Sequence, residues 1–395
     1  MTPLQSDLHA RSAVRDLRAS SIREVANAGM ARGDVLAFWF GEPDQVTPAF
    51  IRQAGIDAID AGDTFYTQNL GLPELRSTLA AYVTRLHGPV DEAHIAVTNS
   101  GMSALMIATQ ALVGPEDRVV AVTPLWPNLV EIPRILGATV DCVALQFGAR
   151  GWTLDLDRLL ARLTPKTHVV YINSPNNPTG WTMSAAEQRA VLDHCEKLGI
   201  WIVADDAYER LYYDSTAHGC SPSFLDSAEP GTRLVATNTF SKSWLMTGWR
   251  LGWLVAPPAL VTDMAKLIEY NTSCAPGFVQ RAGIVAVRDG EPTIAHTVAH
   301  FRKSRDFLHR ELRRLPGIEA VAPPGAMYAF FRVQGMADSL DFCKRLVSEA
   351  GLGLAPGVAF GPEGEGFIRW CFASDETRLA DGVERLRAFL ARRAG

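Results

Sequence analysis

The rest of the chain is organised around one stretch: Asn238-Thr239-Phe240-Ser241-Lys242-Ser243-Trp244-Leu245-Met246-Thr247-Gly248-Trp249-Arg250-Leu251-Gly252-Trp253. Its two cations, Lys242 and Arg250, suit two different tasks. A lysine whose pKa is lowered by burial or by a neighbouring cation becomes a nucleophile toward carbonyl carbons. A guanidinium flanked by Thr and Ser hydroxyls suits a phosphate. The apolar Phe, Trp, Leu and Met residues around Lys242 favour this chemical interpretation over a surface lysine at a strand end.

Length and composition indicate a globular, acidic protein. The chain has 395 residues, enough for two ordinary domains or one large core with an appendage. Apolar residues make up 47% and charged residues 21%, and the net charge of −5 gives no indication of nucleic acid or an anionic membrane as partner. No apolar run is long enough for a membrane span, and residues 1–18 lack the apolar core of a signal peptide. The expected location is cytoplasmic.

Cysteine and histidine spacing argues against disulfides and metals. The six cysteines are far apart, at Cys142, Cys195, Cys220, Cys274, Cys343 and Cys371. Because no Cys-x-x-Cys pair occurs, we expect small core thiols in a reducing compartment. His296 and His300 are spaced to share one helical face, but no third ligand accompanies them. A solvated or capping role is therefore expected, and no metal site is predicted.

The middle of the chain alternates short β-rich runs with helical patterns. The strand candidates are Ile95–Thr98, Val119–Thr123, Thr139–Leu145, His168–Ile172, Ile200–Ala204, Leu234–Thr237 and Leu251–Ala256. The helical patterns between them include Met102–Leu112, Asn128–Leu136, Leu156–Leu163 and Ala185–Leu198. Several strands are apolar on both faces, as expected when helices cover both sides. The pattern predicts an α/β fold: a large domain with a mostly parallel seven-stranded sheet sandwiched by helices.

The two ends of the chain predict a second, smaller α+β domain. Val35–Phe40 has the composition of a short strand, and Ser21 with Glu24 resembles a capping box at a helix start. After about residue 285 the alternation weakens, and helical patterns flank a strand at Phe367–Phe372. The predicted divisions are 1–45 for an arm and part of the small domain, 46–285 for a large ligand-binding domain and 286–395 for a small C-terminal domain.

Chemically distinctive residues follow several predicted strands. Ser100 and Gly101 open a helix after the first strand, and such an N-terminus favours an anion. Trp126, between two prolines, suits the face of a flat ring or plain packing. Asn177 lies between two prolines that hold it more rigidly than an ordinary turn requires. Because ligands bind beyond the carboxyl ends of parallel strands, these residues are expected at one site.

An acidic pair follows Ile200–Ala204. An acid at a buried strand end, such as Asp205, costs free energy unless it has a cationic or hydrogen-bonding partner. For Asp206 we expect the role of a helix N-cap. Together with Tyr208, Lys242 and Arg250, these residues complete a site suited to a phosphorylated aromatic aldehyde.

The ordered set resembles the fold type I pyridoxal-phosphate enzymes, specifically the class I and II aminotransferases. The most specific motifs are Asn176-Asn177-Pro178-Thr179-Gly180 and Ser241-Lys242-Ser243-x-x-Met246-Thr247-Gly248-Trp249-Arg250-Leu251-Gly252. The resemblance extends from about Gly41 to Arg369. It implies pyridoxal 5'-phosphate as cofactor and Lys242 as its Schiff-base partner.

The resemblance also implies roles for the remaining residues. Asp205 pairs with the pyridine nitrogen, so that the ring acts as electron sink. Asn177 and Tyr208 hydrogen-bond the phenolic oxygen of the ring, and Trp126 stacks on its face. The phosphate is held by a set of backbone and side-chain donors: Ser100, Gly101, Met102, Thr239, Ser241 and Arg250.

Substrate binding and dimerisation follow from the same resemblance. Arg369 matches the arginine that grips the substrate α-carboxylate, and its apolar flanks favour burial over a surface position at a strand edge. Gly41 matches a glycine whose backbone lies against the substrate. Tyr66 matches a tyrosine that reaches the phosphate of the other subunit, which implies a homodimer with shared active sites.

The implied reaction is a ping-pong transamination between an L-amino acid and a 2-oxo acid. After the amino donor displaces Lys242, the free amine moves a proton from the substrate α-carbon to C4′ of the cofactor. Met102 replaces the lysine that meets the substrate side-chain carboxylate in an aspartate-specific branch, and Phe40 with Trp39 gives an aromatic pocket wall. We therefore expect a neutral donor, hydrophobic or aromatic, with pyruvate or 2-oxoglutarate as acceptor.

Two other functions use the same cofactor residues. One is a C–S β-lyase or another elimination enzyme, which breaks a different bond of the same substrate class. The other is a non-catalytic cofactor-binding sensor like those fused to bacterial transcription regulators. The sensor is disfavoured because only about forty residues precede the predicted core, and the pI is acidic at about 6.0.

Overall fold

The computed structural model describes residues 10–214, 216, 218–229 and 231–394. The helices are α1 (Ser12–Arg15), α2 (Ser21–Gly29), α3 (Ala49–Asp60), α4 (Pro73–Leu86), α5 (Gly101–Leu112), α6 (Asn128–Ile135), α7 (Leu156–Arg162), α8 (Ala185–Leu198), α9 (Phe240–Ser243), α10 (Pro258–Asn271), α11 (Gly277–Asp289), α12 (Glu291–Leu312), α13 (Ser339–Ala350) and α14 (Glu376–Ala394). Across these described ranges, no helix is long and apolar enough to cross a membrane.

The strands form one large sheet and several smaller ones. They are β1 (Leu36–Ala37), β2 (Ile95–Thr98), β3 (Arg118–Thr123), β4 (Thr139–Ala144), β5 (Gln146–Gly148), β6 (Gly151–Thr153), β7 (Thr167–Asn173), β8 (Trp201–Asp205), β9 (Leu234–Thr239), β10 (Gly252–Val255), β11 (Ile318–Glu319), β12 (Tyr328–Val333), β13 (Leu352–Gly353), β14 (Ala355–Pro356) and β15 (Phe367–Cys371).

The large sheet has seven strands in the order β2-β10-β9-β8-β7-β3-β4. Strand β10 runs antiparallel to both of its neighbours, while β9, β8, β7, β3 and β4 pair in parallel. The mostly parallel seven-stranded sheet predicted from the sequence is therefore confirmed. Its parallel strands all end at one edge, and the residues that follow those ends are brought together there.

Both faces of the large sheet are covered, as the doubly apolar strands predict. Within β2, Val97 packs into the core on one face while Ala96 packs into the core on the other. Helix α8 illustrates how the covering helices are bounded. Ser184 and Glu187 form a capping box at its start, and Gly199 ends it in the left-handed conformation.

A second core joins the two ends of the chain. Strands β11, β12, β15 and β14 form a four-stranded sheet, and β1 pairs in parallel with β13. Val25 and Trp39 from the N-terminal segment pack in this core against residues such as Trp370 and Phe389. The smaller α+β unit predicted for the chain ends is thus present as a core, while the exact domain limits stay a prediction.

Four local predictions need correction or adjustment. Helix α2 is capped by Ser20, whose hydroxyl accepts from the Arg23 backbone N–H at 3.2 Å, rather than by Ser21. The strand predicted at Val35–Phe40 pairs with β13 only over Leu36–Ala37, with one further backbone hydrogen bond from the Phe38 N–H to the Gly353 carbonyl at 2.7 Å. Cys142 is exposed rather than a core thiol.

Asp206 is not a helix N-cap, because residues 207–210 after it form turns rather than a helix. Its carboxylate instead accepts a hydrogen bond from the Ser223 hydroxyl at 2.9 Å, in the interior. Burial, aided by the charge of Glu209, raises the pKa of Asp206 to about 8. A buried side-chain partner far along the chain satisfies this acid, and no local sequence pattern indicates it.

Candidate active site

A cavity of about 510 Å³ lies at the carboxyl edge of the large sheet, against the second core. This volume is within the range of small-molecule sites. Most residues predicted from the sequence line it: Phe40, Gly41, Gly101, Met102, Trp126, Asn177, Asp205, Tyr208, Thr239, Ser241, Lys242, Arg250 and Arg369. Ser100 is buried directly before the lining residue Gly101. Tyr66 does not line the cavity of its own chain and is 90% exposed.

One end of the cavity concentrates donors suited to an anion. The N-terminus of α5 opens toward it, with Ser100 as N-cap: its hydroxyl accepts from the Ser103 N–H at 3.2 Å. Gly252 allows the close approach of β10 to this turn, since a Cβ there would lie 2.4 Å from the Gly101 nitrogen. The turn thus presents backbone N–H groups at the start of a 12-residue helix, where a negative charge is favoured.

Side chains from the β9–α9 junction complete this end. Thr239 caps the short helix α9, and its hydroxyl donates to the Ser241 hydroxyl at 2.9 Å. Arg250 lies in the left-handed region at φ 53° and donates one N–H to the Thr247 carbonyl at 2.5 Å. The remaining guanidinium donors lie along the cavity, where a phosphate can accept them.

Lys242 lies in α9 between the two ends of the cavity. Its Nζ donates to the Gly41 carbonyl oxygen at 2.6 Å. Burial lowers the pKa of Lys242 to about 8, with further lowering by the charges of Arg369 and Arg250 against the opposing effects of Cys371 and Glu42. A fraction of the amine is therefore neutral near physiological pH, as a nucleophile requires.

Asp205 ends β8 and is buried at the far side of the cavity. Its carboxylate accepts from the Ala207 N–H at 3.3 Å. Burial raises the pKa of Asp205 to about 6, while the Ala207 N–H and the charge of Lys242 lower it. A buried carboxylate with so few partners is ready to pair with a cationic ring nitrogen.

Four side chains form a closed set of contacts on the wall of the cavity. Arg369 donates to Asn177 Oδ1 at 3.0 Å, and Asn177 Nδ2 donates to the Tyr208 oxygen at 3.4 Å. The Tyr208 and Tyr328 hydroxyls are 2.8 Å apart. The set closes because the Arg369 guanidinium lies over the Tyr328 ring, 4.5 Å from its centroid.

Arg369 keeps donors free for an anion. It is 2% exposed, on β15, and it also donates to the Trp39 carbonyl. Its Nε is buried without a partner within the described structure. An orphaned buried donor beside two further guanidinium N–H groups fits a carboxylate bound in the cavity.

Several lining residues were not identified from the sequence. Tyr328, Arg23, Glu42 and Asn128 all face the cavity. Gly41 is the indirect signal for Tyr328, because a Cβ at Gly41 would lie 2.0 Å from the Tyr328 hydroxyl oxygen. No spacing rule links residues this far apart, so sequence patterns alone do not identify them.

The sequence profile of the family described as aminotransferase class I and II matches residues 34–386. The chain belongs to this family. The family is pyridoxal-phosphate-dependent, and this aminotransferase is accordingly a transaminase by class. The resemblance indicated by the motifs around Asn177 and Lys242 is therefore confirmed.

Known relatives of this aminotransferase match over nearly their whole length. An aspartate aminotransferase of Pyrococcus horikoshii is 31% identical over 378 residues, covering 95% of each chain. The solved structure of an aspartate aminotransferase from Thermotoga maritima superimposes with a TM-score of 0.89 at 31% identity, covering 97% of this chain and 100% of that one. That of an aromatic aminotransferase from Pyrococcus horikoshii gives 0.85 at 29% identity, covering 94% and 99%.

The residues of the cavity fit the cofactor of the family. A buried carboxylate, a half-buried amine and a helix N-terminus with hydroxyls and a guanidinium match a cationic ring nitrogen, an aldehyde and a phosphate. In the part of the chain that the structure describes, no group of three or more His, Cys, Asp or Glu side chains is arranged to hold a metal ion.

Proposed function

We propose that this transaminase binds pyridoxal 5'-phosphate at the cavity and transfers the amino group of a neutral, hydrophobic or aromatic L-amino acid to a 2-oxo acid, as a cytoplasmic homodimer. The observation that carries the proposal is the amine of Lys242 facing the same cavity as the buried carboxylate of Asp205. The lowered pKa of the first group and the sparse partners of the second suit a covalent cofactor with a basic ring nitrogen.

Each part of the cofactor has candidate partners. The start of α5, with Ser100, Gly101 and Met102, would hold the phosphate together with the side chains of Thr239, Ser241 and Arg250. Asp205 would pair with the ring nitrogen, Trp126 would cover the ring face, and Asn177 with Tyr208 would donate to the phenolic oxygen. When bound, the cofactor supplies an electrophilic carbon for the amine and a sink for the electrons of the α-carbon.

The residues around it would divide the work of transamination. Lys242 serves first as the covalent partner and then as the base that removes the proton from the substrate α-carbon. Its hydrogen bond to the Gly41 carbonyl would hold the free amine at the cavity wall while Lys242 is not bound to the cofactor. Arg369 orients the substrate through its α-carboxylate, and the apolar second core excludes water from this side.

The side-chain pocket supports a neutral donor. Phe40 lines the cavity and stacks edge-on with Trp39, at 6.2 Å between ring centroids. Met102, also in the lining, presents an apolar thioether at the position where a cation would meet a side-chain carboxylate. The relatives named above act by name on aspartate or on aromatic substrates, so the family itself accommodates either kind of donor.

A cation at the cavity mouth supports a dicarboxylic acceptor. Arg23 lines the cavity from α2, and its guanidinium lies over the Phe40 ring, 4.7 Å from the centroid. Lys242, Arg250 and Arg369 have tasks within the proposal, whereas Arg23 adds a positive charge at the opening. The second carboxylate of 2-oxoglutarate would find it there, which favours this acceptor over pyruvate.

A dimer would complete the phosphate site. Tyr66 is 90% exposed, and the neighbouring Phe65 is 82% exposed. Large aromatic side chains so open to water are typical of surfaces that meet a partner. A second copy placed on this surface would let Tyr66 reach its phosphate.

A single-turnover spectral screen tests the proposal. Purified protein loaded with pyridoxal 5'-phosphate is mixed with each amino acid in turn, and the cofactor spectrum is followed for conversion to pyridoxamine phosphate. We expect conversion with neutral hydrophobic or aromatic amino acids, and recovery of the starting spectrum on adding 2-oxoglutarate. Faster conversion with aspartate than with every neutral amino acid would contradict the donor. Release of pyruvate and ammonia from cysteine or cystathionine without any acceptor would instead indicate an elimination enzyme.

A further inference from the structure

The Tyr208 hydroxyl contacts the wholly buried hydroxyl of Tyr328, which has no task in the proposed transamination. Tyr328 is 0% exposed, lies at the start of β12 and pairs in register with Cys371 of β15. Its ring meets that of Tyr208 edge to face, at 5.7 Å between centroids, and both rings line the cavity. Both tyrosines are therefore held by the fold before any ligand arrives.

The donors around Tyr208 fix the direction of its hydrogen bonds. A guanidinium only donates, so the bond from Arg369 to Asn177 fixes Oδ1 as the accepting end of that amide. The Asn177 NH₂ group therefore faces Tyr208 and donates to its oxygen at 3.4 Å. Tyr208 is left with one lone pair and one proton to share between Tyr328 and the cavity.

Tyr208 can donate its proton either to Tyr328 or to a cofactor in the cavity, and an anionic phenolic oxygen on the cofactor favours the second. A hydroxyl that donates to an anion makes a shorter and stronger bond than one that donates to a neutral phenol. The single proton of Tyr208 is then best placed on the cofactor, and the short contact with Tyr328 persists only if Tyr328 donates. We propose that Tyr328 is a positioning residue, whose hydroxyl donates to the Tyr208 oxygen and so directs the Tyr208 proton into the cavity.

The charges nearby favour the same direction. Burial raises the pKa of Tyr328, but the guanidinium of Arg369 counteracts part of this effect. Burial likewise raises the pKa of Tyr208, so both phenols are protonated and able to donate. The Arg369 guanidinium lies over the Tyr328 ring, 4.5 Å from its centroid, and draws electron density from that ring, which favours Tyr328 as the donor of the pair. Accepting its bond polarises the O–H of Tyr208, which strengthens the bond that Tyr208 donates onward.

This inference rests on the proposed function, and a pH titration of the cofactor absorbance in loaded protein tests it. A donor to the phenolic oxygen stabilises its anion, so losing that donor raises the pKa at which the absorbance changes. Tyr208→Phe should raise this pKa. Tyr328→Phe, which keeps the ring beside Arg369, should also raise it, but by less. The double variant should titrate like Tyr208→Phe alone, because Tyr328 acts only through Tyr208.

Two further variants separate a specific effect from a structural one. Tyr213→Phe removes another buried hydroxyl, which donates to the Ala326 carbonyl at 2.6 Å. Neither Tyr213 nor Ala326 lines the cavity, so this variant should leave the titration unchanged. Tyr328→3-fluorotyrosine makes the Tyr328 hydroxyl more acidic without removing it. This variant should lower the pKa at which the cofactor absorbance changes.

The outcomes distinguish this inference from the proposed function. Absence of any cofactor absorbance band in the loaded, unaltered protein would overturn the proposed function and this inference with it. A normal band that responds to Tyr208→Phe, but shifts downward or not at all in Tyr328→Phe, would overturn the role of Tyr328 alone. So would a double variant whose shift exceeds that of Tyr208→Phe.

Discussion

Lys242 Nζ donates to the carbonyl oxygen of Gly41 at 2.6 Å. This bond joins the central motif to the segment before α3, which otherwise belongs to the second core. A backbone carbonyl is a neutral acceptor, so it orients the amine without the charge that would raise the pKa of Lys242. The same glycine admits the hydroxyl of Tyr328, which leaves no room for a Cβ at position 41. Gly41, which has no side chain, therefore brings Lys242, the wall of the substrate site and Tyr328 together.

Replacing Asp205 by Asn is expected to lower the rate of α-proton removal roughly 10² to 10³-fold, the size seen when one charge-stabilising group is lost. The amide cannot hold a proton on the ring nitrogen, so the ring accepts electrons poorly. Stopped-flow measurement of substrate deprotonation checks this. Asp205→Glu keeps the charge and should retain more activity than Asp205→Asn; equal rates for the two variants would argue against a charge-based role.

Replacing Arg369 by Lys is expected to lower kcat/KM for every amino acid donor by roughly 10² to 10³-fold, because an ammonium cannot reproduce the bidentate grip on a carboxylate. Steady-state kinetics with amino acids and with the corresponding decarboxylated amines gives the test. The amines lack the carboxylate, so they should lose little from the substitution. An equal loss for both substrate types would mean that Arg369 supports the fold rather than the substrate.

Replacing Arg23 by Gln is expected to lower kcat/KM for 2-oxoglutarate roughly two- to tenfold while leaving pyruvate nearly unchanged, since an exposed ion pair contributes modestly. Half-reactions from the pyridoxamine form isolate the acceptor step. Arg23→Lys serves as control and should keep most of the preference. A parallel fall for pyruvate and 2-oxoglutarate would show that Arg23 does not read the second carboxylate.

His87 lies between two acids, 3.0 Å from Glu209 and 2.7 Å from Asp226. Burial lowers the pKa of His87, but its hydrogen bonds to Asp226 and Glu209 outweigh this and raise it to about 10. A raised histidine pKa stabilises the fold fully below the ordinary value near 6.5, and this contribution is lost as the pH rises toward 10. His87→Gln should therefore lower the free energy of unfolding by about 2–4 kcal/mol at pH 6.

The same variant should differ little from the unaltered protein near pH 10, where His87 has reached its folded-state pKa and nearly all of its linkage contribution has been lost. Denaturant unfolding of the cofactor-loaded protein at pH 6, 8 and 10 measures the difference. A stability gap that stays constant across this range would show that His87 acts by packing rather than by charge.

The sequence allowed the large sheet to be predicted because its strands are short, buried on both faces and separated by clear helical patterns. The strand that contains Asn238 and Thr239 was placed correctly but ended too early, since polar residues at a strand end look like loop. The site residues at or just after strand ends, such as Asp205 and Asn177, could be identified because the topology of the sheet brings them together.

What the sequence could not predict depends on contacts between distant segments. Asp206 is satisfied by Ser223, and Tyr328 reaches the cavity across Gly41; neither pair has a characteristic spacing. Arg23 enters the site because α2 packs on the second core, and that packing is a tertiary event. Tyr66 illustrates a further limit, since its expected partner is a second copy of the chain.

Lys242 is the proposed covalent partner of the cofactor, and borohydride trapping identifies this partner without any assumption about the substrate. Protein loaded with pyridoxal 5'-phosphate is reduced with sodium borohydride, digested and mapped by mass spectrometry. We predict one stoichiometric phosphopyridoxyl adduct, located on Lys242, and its loss in Lys242→Arg, which keeps the charge. A stoichiometric adduct on any other lysine, or an unmodified Lys242 in fully loaded protein, would contradict the account.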